Sequence, residues 1–185
     1  MRITDKGFFN APVLDLAHDL LGKIIVRRMS DGSVKRFRIT EVEAYGGMED
    51  SASHASRGKT QRNAPMFESG GILYVYLCYG IFNLLNFVSG AEDSPEGVMI
   101  RGVSPISEQG QVGINIEGPG RSSRAMEITR ELNREDLLSS ERFWLEDDGT
   151  RPDPEDIEHL KRVGIGYATQ EDQDRLWRLR VNLVE

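Results

Sequence analysis

Cysteine is almost absent from this chain, which has a single one, Cys78, among its 185 residues. One cysteine cannot form an internal disulfide, and a chain of this length folds without cross-links because it buries roughly 70% of its unfolded surface. The three histidines, His18, His54 and His159, lie far apart in the sequence and show no familiar metal-site spacing. The sequence therefore predicts one domain, residues 1–185, with neither a metal nor a cofactor.

Long apolar runs are missing as well. The longest, residues 72–79, is far shorter than the roughly 20 residues that a membrane-spanning helix requires. Residues 1–9 include Arg2, Asp5 and Lys6 and lack the apolar segment of a secretory signal. Hydrophobic residues make up 38% of the chain and charged residues 29%, as in soluble globular proteins. We therefore expect a soluble protein of a reducing compartment that makes no contact with membranes.

An excess of positive charge, the usual sign of a nucleic-acid-binding protein, is also missing, since the formal net charge is -7. The acidic excess is confined to one part of the chain. Residues 1–130 contain 15 basic and 15 acidic side chains, whereas residues 131–185 contain 8 basic and 15 acidic side chains. A basic face on the first 130 residues remains compatible with this distribution, so net charge does not exclude a nucleic-acid partner.

The fingerprints of several common enzyme classes are absent. Residues 110–120 are rich in glycine but do not link a strand to a helix as a dinucleotide-binding motif does, and there is no GxSxG motif. Glu41 and Glu43 are the acid–base candidates, with Cα atoms about 6.6 Å apart on one strand. This pair is compatible with a glycoside hydrolase. It is equally compatible with an ion pair to Arg38 or Arg101, which is the commoner arrangement.

Alternation and turn residues predict a sheet with short helices. A helix is expected to begin after Asn10, which can act as its N-cap, and to end at Gly22. Strands are expected over residues 24–26, 34–45, 72–79, 82–88, 97–103 and 177–184, and further helices over 123–132 and 153–164. Cys78 is expected in the core. Strict alternation in the second strand places one set of side chains on a single face: Phe37, Ile39, Glu41, Glu43 and Tyr45.

Two segments between these strands suit contacts with nucleic acid. Residues 46–68 form a long polar stretch, and its basic side chains are His54, Arg57, Lys59 and Arg62, with no acidic residue from 51 to 67. Such a loop suits phosphate contacts, although it also suits plain solvation. Tyr79 lies beside Gly80 at the predicted turn of a tyrosine-rich hairpin. A tyrosine at a hairpin tip is poorly placed for a core and well placed to insert between bases.

Several ungapped segments, in order, resemble one known family. They are residues 40–45 (TEVEAY), 47–54 (GMEDSASH), 62–67 (RNAPMF), 73–80 (LYVYLCYG) continuing to Asn86, 98–105 (VMIRGVSP) and 118–121 (GPGR). The family is that of the alkyladenine (3-methyladenine) DNA glycosylases, typified by the mammalian alkylpurine glycosylase and its bacterial homologues. The similarity extends from Phe8 to the final predicted strand.

This resemblance implies a role for particular residues. Glu43 is the general base, and Arg101 lies beside the reacting nucleotide. The pocket for the damaged base is lined by Tyr45, His54, Tyr76 and Asn86, and Tyr79 intercalates at the lesion. The residues expected to contact DNA are Arg57, Lys59, Arg62, Met66 and Arg121.

The resemblance also implies a fold and a function. The fold is mixed α/β (α+β), one domain with a curved, mainly antiparallel sheet, flanking helices and a protruding hairpin. The expected function is excision of alkylated purines of the 3-methyladenine or 7-methylguanine type from double-stranded DNA, with hypoxanthine and ethenoadenine as further candidates. A monomeric, monofunctional enzyme is expected in the cytoplasm, on the nucleoid in a bacterium.

Two other functions remain open at this stage. A non-catalytic protein that binds distorted DNA would need the basic loop and Tyr79, but not Glu43. A glycoside or nucleoside hydrolase would use Glu41 and Glu43 together and would leave Tyr79 unexplained. Release of free base from alkylated DNA distinguishes the three.

Overall fold

The computed structural model describes residues 1–183, which form a single mixed α/β domain. Its helices are α1 (Lys6–Phe9), α2 (Val13–Leu20), α3 (Pro119–Ala125) and α4 (Gln170–Asp174). Its strands are β1 (Ile24–Arg28), β2 (Val34–Gly46), β3 (Leu73–Cys78), β4 (Phe82–Ser89), β5 (Glu96–Ile106), β6 (Ile116–Glu117), β7 (Phe143–Glu146), β8 (Glu158–Leu160) and β9 (Arg178–Arg180). The predicted fold class is confirmed.

One antiparallel sheet organises the domain. Its main strand order is β3-β4-β5-β2-β1-β7, while β6 pairs with β5, β9 pairs with β2, and β8 pairs with β9. Each of these neighbouring pairs is antiparallel. The long strand β2 therefore lies between β1 and β5 and also meets β9 near its end, which gives its second half a fixed backbone.

The hydrophobic core lies between this sheet and α2. The buried residues of α2 are Val13, Leu16, Ala17 and Leu20, which recur every three or four positions and so form one helical face. They pack in one cluster with apolar residues of the strands, among them Phe87 and Ile100, both fully buried. Within residues 1–183 there is no helix long and apolar enough to cross a membrane.

A β-bulge interrupts the alternation of β2. The pairing of β2 with β5 shifts register on both sides of Glu41, which pairs with Gly102. Phe37 and Ile39 before the bulge, and Val42 and Ala44 after it, all belong to the core. The predicted shared face is therefore wrong, because the irregularity turns Glu41, Glu43 and Tyr45 away from the face of Phe37 and Ile39.

Gly102 makes this bulge possible. It lies on β5 opposite Glu41, and a Cβ atom at this position would be 2.9 Å from both the Glu41 Cβ and the Thr40 Oγ1. Such a distance is too short for any ordinary contact, so a side chain there would push the two strands apart. The close approach of β2 to β5 thus depends on glycine.

The helix predictions were less accurate than the strand predictions. Asn10 ends α1 rather than capping α2, which begins directly after Pro12. The helix expected over 123–132 begins earlier, at Pro119, and ends at Ala125. It is followed by the 3₁₀ turn Arg130–Leu132. Proline at the first helical position explains the early start, because its missing N–H and fixed φ suit that position.

The C-terminal part contains the clearest secondary-structure error. Residues 153–164 do not form a helix, since a 3₁₀ turn at Pro154–Asp156 is followed by β8. Pairing with β9 draws this segment into the sheet, and local pattern gives no sign of that pairing. β9 itself is shorter than expected, at Arg178–Arg180, and the predicted end of the last strand at Val184 lies outside the described residues.

Candidate active site

Glu43 lies just after the bulge of β2 and is fully buried, with 0% of its surface exposed. Its Oε1 accepts a hydrogen bond from the backbone N–H of Val163 at 2.8 Å. Its Oε2 accepts one from the Tyr45 hydroxyl at 2.8 Å and lies 3.3 Å from Nη1 of Arg101. Burial raises the pKa of Glu43 above its ordinary value, and the nearby Arg101 and the two hydrogen bonds only partly oppose this effect.

Glu41 has a different environment from Glu43. Its Oε1 lies 3.2 Å from Nε of Arg101 and accepts a hydrogen bond from Nη1 of Arg178 at 3.0 Å. Arg101 therefore bridges the two glutamates, and Glu41 is held in an arginine ion-pair network. This is the arrangement of an orienting carboxylate, and it disfavours a hydrolase that uses both glutamates as a catalytic pair.

A pocket opens on the side of the sheet that bears Tyr45. It is lined by Tyr45, Ala52, His54, Met66, Tyr74, Tyr76, Asn86, Val88, Gly97 and Tyr167. The structure thus brings together the four residues expected around a base. Tyr45 lines the pocket and also bonds to Glu43, so the buried carboxylate lies directly behind one pocket wall. Burial raises the pKa of Tyr45 well above its ordinary value, which keeps its hydroxyl protonated as a donor.

Three rings form an aromatic wall of this pocket. The His54 and Tyr76 ring centroids are 4.5 Å apart, and those of Tyr74 and Tyr76 are 5.3 Å apart. Nδ1 of His54 is 2.9 Å from the Tyr74 hydroxyl, which fixes the imidazole. Burial, with a smaller contribution from Arg62, lowers the pKa of His54, so the ring is neutral at neutral pH. Burial also raises the pKa of Tyr74 to about 12.

Asn86 and Met66 line the pocket from below the aromatic wall. Nδ2 of Asn86 donates to the backbone oxygen of Tyr74 at 3.1 Å, which ties the amide to strand β3. Met66 is only 4% exposed and packs with Phe67 and Val88. The expected contact of Met66 with DNA stays a prediction, and its burial places it in the pocket wall and not on the open surface.

The hairpin between β3 and β4 ends in an exposed tyrosine. Tyr79 is 89% exposed. Tyr79 and Gly80 have φ values of 50° and 71°, and the N–H of Ile81 donates to the Cys78 oxygen at 3.0 Å. Two consecutive positive φ values at the centre of a turn are typical of tight hairpins. Cys78 is half-buried at the end of β3, so its expected place in the core was wrong.

Basic side chains surround the hairpin and the pocket. Arg57, Lys59 and Arg121 are exposed. Arg62 donates to the backbone oxygen of Leu77 at 3.0 Å, and its guanidinium lies 5.2 Å from the Tyr76 ring centroid. Arg124, which sequence reasoning missed, lies 5.6 Å from the Phe82 ring centroid. Arg62, together with Arg101, lines a cleft of about 530 Å³ between the hairpin and residues 163–167.

A buried ion pair supports the pocket from behind, and no local pattern in the sequence indicated it. Arg162 and Asp50 both have fully buried side chains, and Nη2 of Arg162 donates to Oδ1 of Asp50 at 2.9 Å. The Arg162 guanidinium lies 4.9 Å from the Tyr45 ring centroid and 5.1 Å from that of Trp177. It also donates to the backbone oxygen of Ala44 at 2.9 Å. Arg162 therefore fixes the backbone and ring at the end of β2.

Among residues 1–183, no group of three or more histidine, cysteine, aspartate or glutamate side chains is arranged to hold a metal ion. A sequence model of the family described as Methylpurine-DNA glycosylase (MPG) matches residues 7–183, nearly the full length. The chain belongs to this family. It is accordingly a DNA glycosylase, an enzyme of DNA repair.

Relatives of this glycosylase occur in bacteria and archaea. A protein of Chlorobium phaeobacteroides is 47% identical over 155 residues, covering 79% of each chain. One of Methanocella arvoryzae is 40% identical over 189 residues, covering 96% of this chain and 92% of the relative. One of Clostridioides difficile is 35% identical over 202 residues, covering 96% and 99%. Each bears the name "Putative 3-methyladenine DNA glycosylase".

Proposed function

We propose that this glycosylase excises alkylated purines, of the 3-methyladenine and 7-methylguanine type, from double-stranded DNA. In this proposal the damaged nucleotide leaves the helix, its base enters the aromatic pocket, and water activated by Glu43 cleaves the N-glycosidic bond. The observation that supports it most is the position of Glu43. Its buried carboxylate is held by Val163, Tyr45 and Arg101 directly behind the pocket wall that Tyr45 forms.

The chemistry of the pocket suits an alkylated purine. Alkylation at N3 or N7 gives the base a positive charge, and a cation over an aromatic ring gains roughly 0.5–2 kcal/mol. Tyr45, Tyr74 and Tyr76 supply such rings. The neutral form of His54, which follows from its lowered pKa, adds no repulsion toward a cationic base at neutral pH. Neutral adenine lacks this attraction, so the pocket favours the lesion.

The reaction step needs only one base on the protein. Glu43 takes a proton from water, and the resulting oxygen nucleophile forms a bond to C1′ of the deoxyribose. The electron pair of the breaking C1′–N bond moves to the purine, which is neutralised because it was cationic. Before it accepts this proton, the Glu43 carboxylate also stabilises the positive charge that develops on the sugar. The products are the free base and an abasic site in an intact strand.

Base extrusion leaves a gap in the helix, which Tyr79 is placed to fill. Stacking of an aromatic side chain on a base gains roughly 1–3 kcal/mol. The exposed position of Tyr79 at the hairpin tip, beside the cleft and its basic residues, supports this role. Enzymes that act on a base in duplex DNA generally have to flip it out first.

The deciding experiment measures free base released from alkylated duplex DNA, with EDTA present. We expect methylated purines to be released and the strand to stay uncut, with no protein–DNA adduct trapped by borohydride. Tight binding of lesion DNA with no released base would instead indicate a non-catalytic binder. A trapped adduct would indicate an amine nucleophile and contradict the role of water.

A further inference from the structure

The base pocket is narrow in this structure. Its cavity volume is about 40 Å³. An apolar cavity of about 150 Å³ binds benzene, a single ring. A methylated purine has two fused rings, so this cavity is too small for it. One wall of the pocket therefore has to move before a base can enter.

Most of the pocket wall is held by the sheet. Tyr74 and Tyr76 lie on β3, Asn86 and Val88 on β4, and Gly97 on β5, where backbone hydrogen bonds fix their positions. The ring of Tyr76 is also held by its contacts with the rings of His54 and Tyr74. These residues therefore form the rigid part of the pocket.

Tyr167 belongs to a different part of the structure. It lies on the segment between β8 and α4 and is 65% exposed. It borders the base pocket, the cleft beside the hairpin and a third depression over residues 48–57. Its hydroxyl donates to the backbone oxygen of Ala52 at 2.8 Å, across the mouth of the pocket. An exposed ring fastened by a hydrogen bond at its tip can rotate away at small cost.

The backbone next to Tyr167 can stay in place during such a rotation. Ile165 and Ala168 are buried and pack with Ala52, which anchors the segment on both sides of the tyrosine. Gly166 has no atom within 4 Å of the position a Cβ would take, so there is open space beside the ring's attachment point. The hydrogen bond from Val163 to Glu43 is therefore kept while the ring moves.

We propose that Tyr167 is the gate of the base pocket and limits the size of the alkyl group that the glycosylase accepts. The proposal rests on the proposed function, because it assigns the pocket to a purine base. Rotation of the ring away from Ala52 enlarges the pocket and admits the base, and the displaced ring then packs over the bound base. A purine with a small alkyl group lets the ring cover it, whereas one with a long or branched alkyl group keeps the ring away.

Two variants of Tyr167 separate the ring from its hydroxyl. Tyr167→Phe removes the hydrogen bond to Ala52 and keeps the ring. A protein hydrogen bond contributes roughly 0.5–1.5 kcal/mol, so the gate should open about two- to tenfold more readily. Tyr167→Ala removes the ring and enlarges the mouth. Leu176→Ala is the matched control, because Leu176 is also partly exposed in the same C-terminal part but does not line the pocket.

The first measurement is the association rate of free 3-methyladenine and of 3-benzyladenine, followed by stopped-flow fluorescence. We expect Tyr167→Phe to accelerate association of both about two- to tenfold. Tyr167→Ala should accelerate the benzyl base at least tenfold more than the methyl base. Unchanged association rates in Tyr167→Phe, with normal folding by circular dichroism, would overturn the gate.

The second measurement is single-turnover excision of methyl, ethyl and benzyl lesions from duplex DNA. Tyr167→Ala should raise the ratio of benzyl to methyl excision at least tenfold over wild type and over Leu176→Ala. An equal loss for all lesions would reduce Tyr167 to a structural role. If wild type releases no alkylated base while the Tyr167 variants still change the association rates, the proposed function is wrong and the role of Tyr167 as the gate is supported.

Discussion

Glu43 combines complete burial with a charge that three donors stabilise, and this combination sets the pH dependence of the proposed reaction. Catalysis requires the ionised carboxylate, and burial raises its pKa above the ordinary 4.5. Excision should therefore fall as the pH drops through this raised pKa, so the acid limb of kcat/KM lies above pH 4.5.

Glu43→Gln should lower excision by about 10²- to 10⁴-fold and retain lesion binding. Loss in Glu41→Gln with normal Glu43→Gln activity would reassign the base.

The raised pKa of Glu43 also affects folding stability. Excision increases with pH, whereas this contribution to stability decreases with pH. The folded protein binds the Glu43 proton more tightly than the unfolded chain does. The stability that this provides is complete below the unfolded pKa and is lost as the pH rises through the folded pKa. Melting temperatures of wild type and Glu43→Gln, compared from pH 4.5 upward, should show wild type losing stability relative to the variant. A constant difference across this range would contradict a raised pKa.

Tyr79 offers a test in which stability and function separate. Truncating a buried aromatic costs roughly 3–5 kcal/mol, but Tyr79 is exposed, so Tyr79→Ala should hardly change the melting temperature. Loss of stacking should weaken lesion binding by about ten- to a hundredfold. A fluorescent base opposite or beside the lesion measures flipping directly, and lesions in an unpaired bulge should be affected less. A large fall in melting temperature with normal flipping would assign Tyr79 to the core.

At the scale of secondary-structure elements, the buried pair of Arg162 and Asp50 joins the end of β2 to the segment after β8. Removing one member of a buried pair typically costs about 3–5 kcal/mol because the other charge is left uncompensated. Arg162→Met should therefore strongly lower the free energy of unfolding. The double variant Asp50→Asn/Arg162→Met should lower it clearly less. Arg180→Met, which breaks an exposed pair with Glu158, should cost at most about 1 kcal/mol in urea unfolding. Equal losses in the single and double variants would indicate that packing, not charge, dominates.

The elements also show what the sequence could and could not predict. The hairpin tip at Tyr79 was predictable because alternation and a glycine turn are local signals. The bulge of β2 was not, since it depends on Gly102 of a distant strand. The contributions of Val163 and Arg162 to the site were missed for the same reason. Their segment lacks a local pattern of its own, and its position is set by β8 pairing with β9.

For the molecule as a whole, the distribution of charge matters more than the net value. The basic side chains near the cleft are in the first 130 residues, and the acidic excess is in the last 55. DNA affinity should therefore fall as salt rises despite the net charge of -7. Arg57→Ala should reduce the slope of log K against log salt by about 1. Arg36→Ala, at the opposite end of β2, should leave the slope unchanged, and an equal effect of both would contradict a localised DNA face.

The stacking of rings and cations behind the pocket has an optical consequence. Trp177 lies between Arg162 and Arg175, whose guanidinium groups are 5.1 and 4.7 Å from its ring centroid, and Arg162 in turn contacts the Tyr45 ring. Indole emission responds to the charges around it, and a cationic base on Tyr45 adds a charge to this stack. The chain has only one other tryptophan, Trp144, on the distant strand β7. In Trp144→Phe, the remaining emission becomes a built-in reporter that follows pocket occupancy without any added label.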